Sequence, residues 1–266
     1  MVSAVSLLVF LFGLIIGSFL NVAIYRHRTG YSLGGRSQCL ACGETLRWYE
    51  LIPLASFIAQ GGKCHTCGAR VSWQYPLVEI ATALTFWGIY RVSLATHAGI
   101  WLLILDAVIW SILIAITTYD LRHKIIPDEW VYPFVALVMI RLVVSGADWQ
   151  WGFLTGVILF AFFGGLWLIS RGKWMGLGDA KLALGLGFFL GLEPALSAVL
   201  LAFWIGAVAG IIIIAVERCR RPALSSGRRS TPAPALGRKI PFAPFLALGV
   251  ALVYFANLHV IPLFIS

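Results

Sequence analysis

Residues 1–28 read MVSAVSLLVFLFGLIIGSFLNVAIYRHR. No charged side chain occurs from Met1 to Tyr25, and Arg26, His27 and Arg28 follow at once. An uncharged run of that length meets the roughly 20 apolar residues that a helix needs to cross a bilayer. A secretory signal has its basic residues before the apolar stretch and a small-residue cleavage site after it. This segment shows the opposite charge order, and no such site ends it. It reads as an uncleaved first span with its N-terminus outside and its basic flank in the cytoplasm.

The same pattern runs through all 266 residues, of which 60% are hydrophobic and 12% charged. Soluble domains carry about 45–50% and about 25%, so the expected fold is an all-α polytopic membrane protein. Further spans are placed at 76–96, 100–120, 129–146, 150–170, 180–194, 196–216 and 241–262, about eight transmembrane helices in all, with both termini periplasmic. The resulting divisions are a first helix (1–25), a cytoplasmic loop domain (26–75), a membrane core (76–216), a basic, Pro- and Ser-rich cytoplasmic linker (217–240) and a last helix (241–266). Charge placement supports this topology. The inside segments 26–75, 121–128, 171–181 and 217–240 hold 18 of the 20 Lys and Arg residues, leaving Arg91 and Arg141 elsewhere. The net charge of +9 is thus a positive-inside signal with lipid head-group contact as a secondary use, not a nucleic-acid footprint. Gly-x-x-x-Gly pairs at Gly13/Gly17, Gly152/Gly156, Gly187/Gly191 and Gly206/Gly210 suit close helix packing.

Within the first loop, Cys39-x-x-Cys42 and Cys64-x-x-Cys67 are separated by 21 residues. Two such knuckles can supply four thiolates at the corners of a tetrahedron, as structural zinc requires. Gly43 and Gly68 follow the second cysteine of each knuckle, where positive φ is useful. Stable disulfides are rare in the reducing cytoplasm, so metal is favoured over disulfide bridging or free thiols. With all four positions filled by Cys, the site is structural rather than catalytic, and one Zn2+ per chain is expected.

Two carboxylates lie where spans meet the inner face. Tyr119-Asp120-Leu121-Arg122-His123-Lys124-Ile125-Ile126-Pro127-Asp128 closes the third span, which puts Asp120 at or just below the head groups, with Asp128 as a helix N-cap. Met175-Gly176-Leu177-Gly178-Asp179-Ala180-Lys181 opens the sixth, with Gly176 and Gly178 allowing close backbone approach. Asp179 can be a plain cap or half of a pair. Two carboxylates packed together share one proton, and such a pair can activate a water with one member and protonate with the other. Sequence gives equal depth for the two, not contact. Among the supporting residues, Glu79 is expected to pair with an interfacial Arg or Lys or to help position substrate. Lys181 is expected to meet head groups, and Asn21 to hydrogen-bond between helices.

Gly17-Ser18-Phe19-Leu20-Asn21-Val22-Ala23-Ile24-Tyr25-Arg26 resembles the opening signature of type IV prepilin peptidases. So do the run from Cys39 through Trp48, Glu50-Leu51-Ile52-Pro53, Cys64, Cys67 and Tyr75-Pro76-Leu77-Val78-Glu79, then Asp120…Ile126-Pro127-Asp128 and Gly176-x-Gly178-Asp179, all in family order. The resemblance covers residues 13 to 195. It implies a GxGD aspartic protease of the bacterial inner membrane, with its active site and zinc loop on the cytoplasmic side. Such an enzyme removes the basic leader of type IV prepilins and type II secretion pseudopilins and then methylates the new N-terminal amine with S-adenosylmethionine. By motif match Asp120 and Asp179 are the catalytic pair, and Cys39, Cys42, Cys64 and Cys67 are the zinc cysteines of the bifunctional members. The loop is linked to methylation or substrate docking rather than to proteolysis. The residues that bind the methyl donor are not readable, since no Gly-x-Gly-x-x-Gly opens a helix after a strand, and neither is the oligomeric state. Two rival readings stay open on the residues alone. One is a carboxylate-driven transporter, which would place its acids near mid-depth in repeated halves. The other is a non-enzymatic membrane scaffold with a zinc adaptor.

Overall fold

A computed structural model describes residues 4–30, 32–146, 148–219 and 241–260. The regular secondary structure of these residues is helical, with no β-strand beyond isolated bridges, and they form two compact units, Met1–Thr118 and Tyr119–Ser266.

The first unit contains α1 (Ala4–Arg26), a short 3-10 turn (Trp48–Leu51), α2 (Ala55–Ala59), α3 (Gln74–Thr96) and the body of α4 (Ile100–His123). The α1 and α3 backbones approach closely because glycine leaves room. A Cβ at Gly13 would lie 2.6 Å from Ala83 Cα, and one at Gly17 would lie 2.7 Å from Glu79 Cα. In a bilayer this contact is held by van der Waals packing and interhelical hydrogen bonds rather than by expulsion of water. Asn21 adds such a bond, as expected. Its buried amide donates to Tyr75 O at 3.1 Å and to Gly17 O at 3.3 Å, and its Oδ1 accepts from Gln74 Nε2 at 3.3 Å.

The second unit takes the end of α4 from Tyr119, then α5 (Asp128–Val144), α6 (Trp149–Ser170), α7 (Leu177–Leu190), α8 (Leu192–Cys219) and α9 (Ala243–Ala256). Helix α7 is its core element, with nine of its 14 residues buried. Glycines seat it against its neighbours. A Cβ at Gly187 would lie 2.6 Å from Gly156 Cα on α6, and one at Gly185 would lie 2.6 Å from the Phe134 ring on α5.

Each of the eight apolar segments anticipated from sequence corresponds to a helix. Five of them (α1, α3, α4, α6 and Leu192–Val216 of α8) are long and apolar enough to cross a membrane. Their outer faces carry exposed large apolar residues such as Leu8 at 64% and Ile211 at 67%, a surface suited to lipid rather than water. Some boundaries differ from expectation. The sixth segment, placed at 180–194, is instead α7 ending at Leu190, because Gly191 turns the chain with φ 77° and α8 starts at Leu192. Gly191 is therefore a helix cap rather than the packing partner of Gly187. The linker placed at 217–240 begins later, since α8 runs to Cys219, and its remainder lies outside the described residues.

Candidate functional site

Asp120 lies in the last turn of α4. Lys124, at φ 56°, ends that helix with its N–H on Asp120 O at 2.7 Å. The chain then passes through Ile125 and Ile126 to Pro127. With fixed φ and no N–H to donate, proline suits the edge of a helix, and Pro127 takes the N-cap position of α5. Asp128 is thus the first helical residue rather than the cap anticipated from sequence. It forms an ion pair with Lys181 Nζ at 2.8 Å, and Lys181 also donates to Tyr132 Oη at 3.1 Å. Lys181 is accordingly a clip between α5 and α7.

Asp179 is the third residue of α7. Its Oδ2 accepts the Gly176 N–H at 3.1 Å, which satisfies a donor that the helix start leaves over. The capping role and the pairing role, set apart as alternatives by the sequence, are therefore compatible, since capping uses one oxygen of two. The two glycines differ. Gly176 has φ −82° and only ordinary contacts near a built Cβ, so nothing there demands glycine. At Gly178 a Cβ would lie 2.8 Å from Ile126 Cβ. The loop that follows Asp120 thus rests on the turn that carries Asp179, and glycine is what lets it do so.

Both carboxylates are buried, Asp120 at 3% and Asp179 at 8% exposure. They are close enough for their charges to interact, which brings together the two residues 59 positions apart in sequence. Asp120 also meets the backbone N–H of Ala243 at the start of α9, a helix end that favours negative charge. Sequence reasoning did not anticipate that donor, since no local signal marks a main-chain group 123 residues away. Asp120 Oδ2 and Asp179 Oδ1 are buried and have no hydrogen-bond partner among the described residues. A buried polar atom without a partner is costly. Two such oxygens on adjacent carboxylates favour a shared proton and can polarise a water and a carbonyl at the same time.

The four cysteines form a second cluster in the first unit. The two knuckles fold alike. Gly43 and Gly68 take φ 73° and 69°, and their N–H groups reach Cys39 O and Cys64 O at 2.9 Å each. Antiparallel bridges Gln38–Thr45 and Lys63–Arg70 close the two turns. All four Sγ atoms lie within 4.8 Å of one another, with Cys39 and Cys67 at 3.9 Å. A tetrahedral S4 site with bonds of about 2.3 Å needs sulfurs about 3.8 Å apart, so the donor set and its spacing fit a zinc ion. Backbone N–H groups, that of Cys42 first and then Ala41, lower the Cys39 thiol to about 7. Cys42 is pushed up to about 11. The backbone hydrogen bond from Glu44 opposes that rise, and desolvation and the neighbouring thiols outweigh it. Arg26 orders the approach to the first knuckle. Its guanidinium donates to the carbonyls of Ser32, Leu33 and Gly34 at 2.8–2.9 Å and to those of Gly35 and Arg36 at 3.2–3.4 Å.

Glu79 departs from the pairing expected of it. Its Oε2 accepts the backbone N–H of Leu54 at 2.9 Å, and it also takes a hydrogen bond from the Ser18 side chain. A main-chain donor therefore stands where a basic side chain was anticipated.

Residues 11–92 match the Bacterial Peptidase A24 N-terminal domain, and residues 107–211 match the Type IV leader peptidase family. Curated relatives lie over most of the chain. A Bacillus subtilis protein is 33% identical over 97% of both chains, and one from Pseudomonas aeruginosa is 31% identical over 90% of this chain and 86% of its own. A Myxococcus xanthus protein is 35% identical over 77% of this chain and 62% of its own. Each of these relatives is named prepilin leader peptidase/N-methyltransferase. No solved structure matches the chain.

Proposed function

The chain belongs to the type IV leader peptidase family, and we propose that it cleaves prepilin leaders with Asp120 and Asp179 and then methylates the exposed amine. The observation that carries this reading is the pair of buried, unpartnered oxygens, Asp120 Oδ2 and Asp179 Oδ1. A water held between them loses a proton to the ionised carboxylate as its oxygen attacks the scissile carbonyl carbon. The protonated carboxyl donates to the carbonyl oxygen and stabilises the tetrahedral intermediate. On collapse, the proton taken from water passes to the leaving amine, and the pair returns to sharing a single proton. Gly178, Ile126 and the Gly176 N–H hold the two carboxylates in register. A transporter reading is disfavoured because both acids sit at helix ends, and a pure scaffold leaves two buried oxygens unexplained.

The positive-inside pattern supports an active site and a cysteine loop at the cytoplasmic face of the bacterial inner membrane, with both termini periplasmic. Cys39, Cys42, Cys64 and Cys67 would hold a Zn2+ that stabilises the loop fold and, with every coordination position filled by protein, takes no chemical step. S-adenosylmethionine is the methyl donor that the resemblance implies. The substrates are prepilins and pseudopilins, whose basic leader precedes an apolar helix. The test is to reconstitute the purified chain with a prepilin and measure the mass of the substrate's N-terminal peptide. The expected result is leader loss followed, when donor is supplied, by a single methyl increment. A leader retained at full length would reject the reading.

A further inference from the structure

The first unit holds a groove of about 630 Å³ that the cleavage chemistry does not use. One wall is a stripe of α1 (Leu11, Ile15, Phe19 and Val22 among its residues), and the other comes from the loop domain through Trp48 and Ile52. From Leu11 to Val22 a helix rises about 16 Å, so the groove suits a rod. No charged side chain lines it, and its side-chain polar groups are the hydroxyls of Ser18 and Ser37 and the indole N–H of Trp48. Behind Ser18 stands Glu79, 6% exposed and hydrogen-bonded to that serine.

The loop wall is held under strain. Leu54 follows the groove residue Pro53 and takes φ 58°, ψ −48°, and Ala55 N–H returns to Pro53 O at 2.6 Å. This is a γ-turn of the rare, unfavourable hand, at a residue with a bulky side chain. Glu79 Oε2 fixes the turn by accepting the Leu54 N–H at 2.9 Å. One buried carboxylate therefore shapes the groove wall and, through Ser18, gives the groove floor a negative pole.

We propose that this groove receives the apolar N-terminal segment of the processed substrate, with its new ammonium group held at Ser18 and Glu79. The inference rests on the cleavage and methylation reading above. Charge selects this occupant. A basic leader would find no acidic side chain along the walls, and a phospholipid of similar length would bring its phosphate toward a carboxylate. A cleaved segment, in contrast, is apolar along its length and cationic at its end. Held in this way, the amine stays on the protein between the two reactions. Glu79 is a positioning residue here, acting through Ser18.

The test places a photoreactive phenylalanine analogue at Ile15, at Ile52 or, as a control outside the groove, at the exposed Ile211 of α8, in the full chain co-expressed with a prepilin. Ile15 and Ile52 should each give adducts to the apolar segment of the prepilin, about tenfold above Ile211. Equal yields from Ile211, or adducts to phospholipid alone, would overturn the proposal. Glu79→Gln provides the second arm. Glutamine still accepts the Leu54 N–H but carries no charge, so a purely structural role would be rescued. The expected result is a methylated share of cleaved product lowered about tenfold, since charge-assisted hydrogen bonds exceed neutral ones. A wild-type share would refute the role of Glu79. If that variant fails to accumulate, the crosslinking arm still decides. Leader removal by the unsubstituted protein is scored in the same cells. Its presence with the wrong crosslinks defeats only the groove, and its absence defeats the cleavage reading as well.

Discussion

Replacing Gly178 with alanine should disable cleavage without unfolding the protein. A Cβ at this position lies 2.8 Å from Ile126 Cβ, whereas carbon atoms in favourable contact are about 3.5–4.0 Å apart. The loop after Asp120 must therefore withdraw from the Asp179 turn by about 0.7–1.2 Å. Catalytic groups tolerate displacements of about 0.5 Å, and a misplacement near 1 Å can lower a rate about 100-fold. Residue 178 lies in the first turn of α7, where alanine is the better helix former by about 1 kcal/mol, so local propensity does not oppose folding. The expected outcome is a rate of leader removal lowered about 10- to 100-fold at unchanged protein level, read by gel shift of a prepilin in membranes. Ile126→Gly in the same chain removes the three carbons nearest the added Cβ and should restore most of the rate. Full activity of Gly178→Ala alone would refute the reasoning, as would a double variant no faster than the single one.

Purified protein should contain one zinc per chain by elemental analysis, and Cys64→Ser should abolish it; a metal-free protein from zinc-replete cells would reject the ligand set. After zinc is stripped at neutral pH, alkylation of Cys39, whose thiol is lowered to about 7, should precede that of Cys42, pushed up to about 11. Below about pH 6 alkylation of Cys39 should slow as its thiolate protonates, and equal labelling of Cys39 and Cys42 at pH 7 would contradict the geometry. Lys181→Met should change cleavage by less than about threefold, because the Asp128 partner is 52% exposed and such pairs contribute about 1 kcal/mol or less; complete loss would show that the clip is essential to the site.

Long-period features were legible in the sequence. Uncharged runs became helices, paired cysteines became facing knuckles, and Asn21 bridged helices, because hydropathy and spacing act along the chain. Details that depend on main-chain groups meeting across the fold were not legible. Glu79 found the Leu54 N–H, Arg26 found five loop carbonyls, and Asp120 found the Ala243 N–H. Main-chain donors and acceptors occur at nearly every residue, so residue identity does not reveal which one a side chain will meet. The Asp128–Lys181 pair escaped for a related reason. Each residue has an adequate local account, as a cap or as a head-group contact, and only the packing of α5 on α7 sets them 2.8 Å apart. The α7 boundary was misplaced because apolar residues continue past Gly191, and positive φ cannot be read from hydropathy.

The most direct test of the two-carboxylate centre is the rate of leader removal by Asp120→Asn and by Asp179→Asn, each measured alone in membranes containing equal amounts of protein. Asparagine preserves shape and can still accept a hydrogen bond, but it can neither take up nor release the shared proton. The account predicts that either change abolishes cleavage. If either variant still shortened the prepilin at the unsubstituted rate, the hydrolytic role assigned to the pair would be wrong.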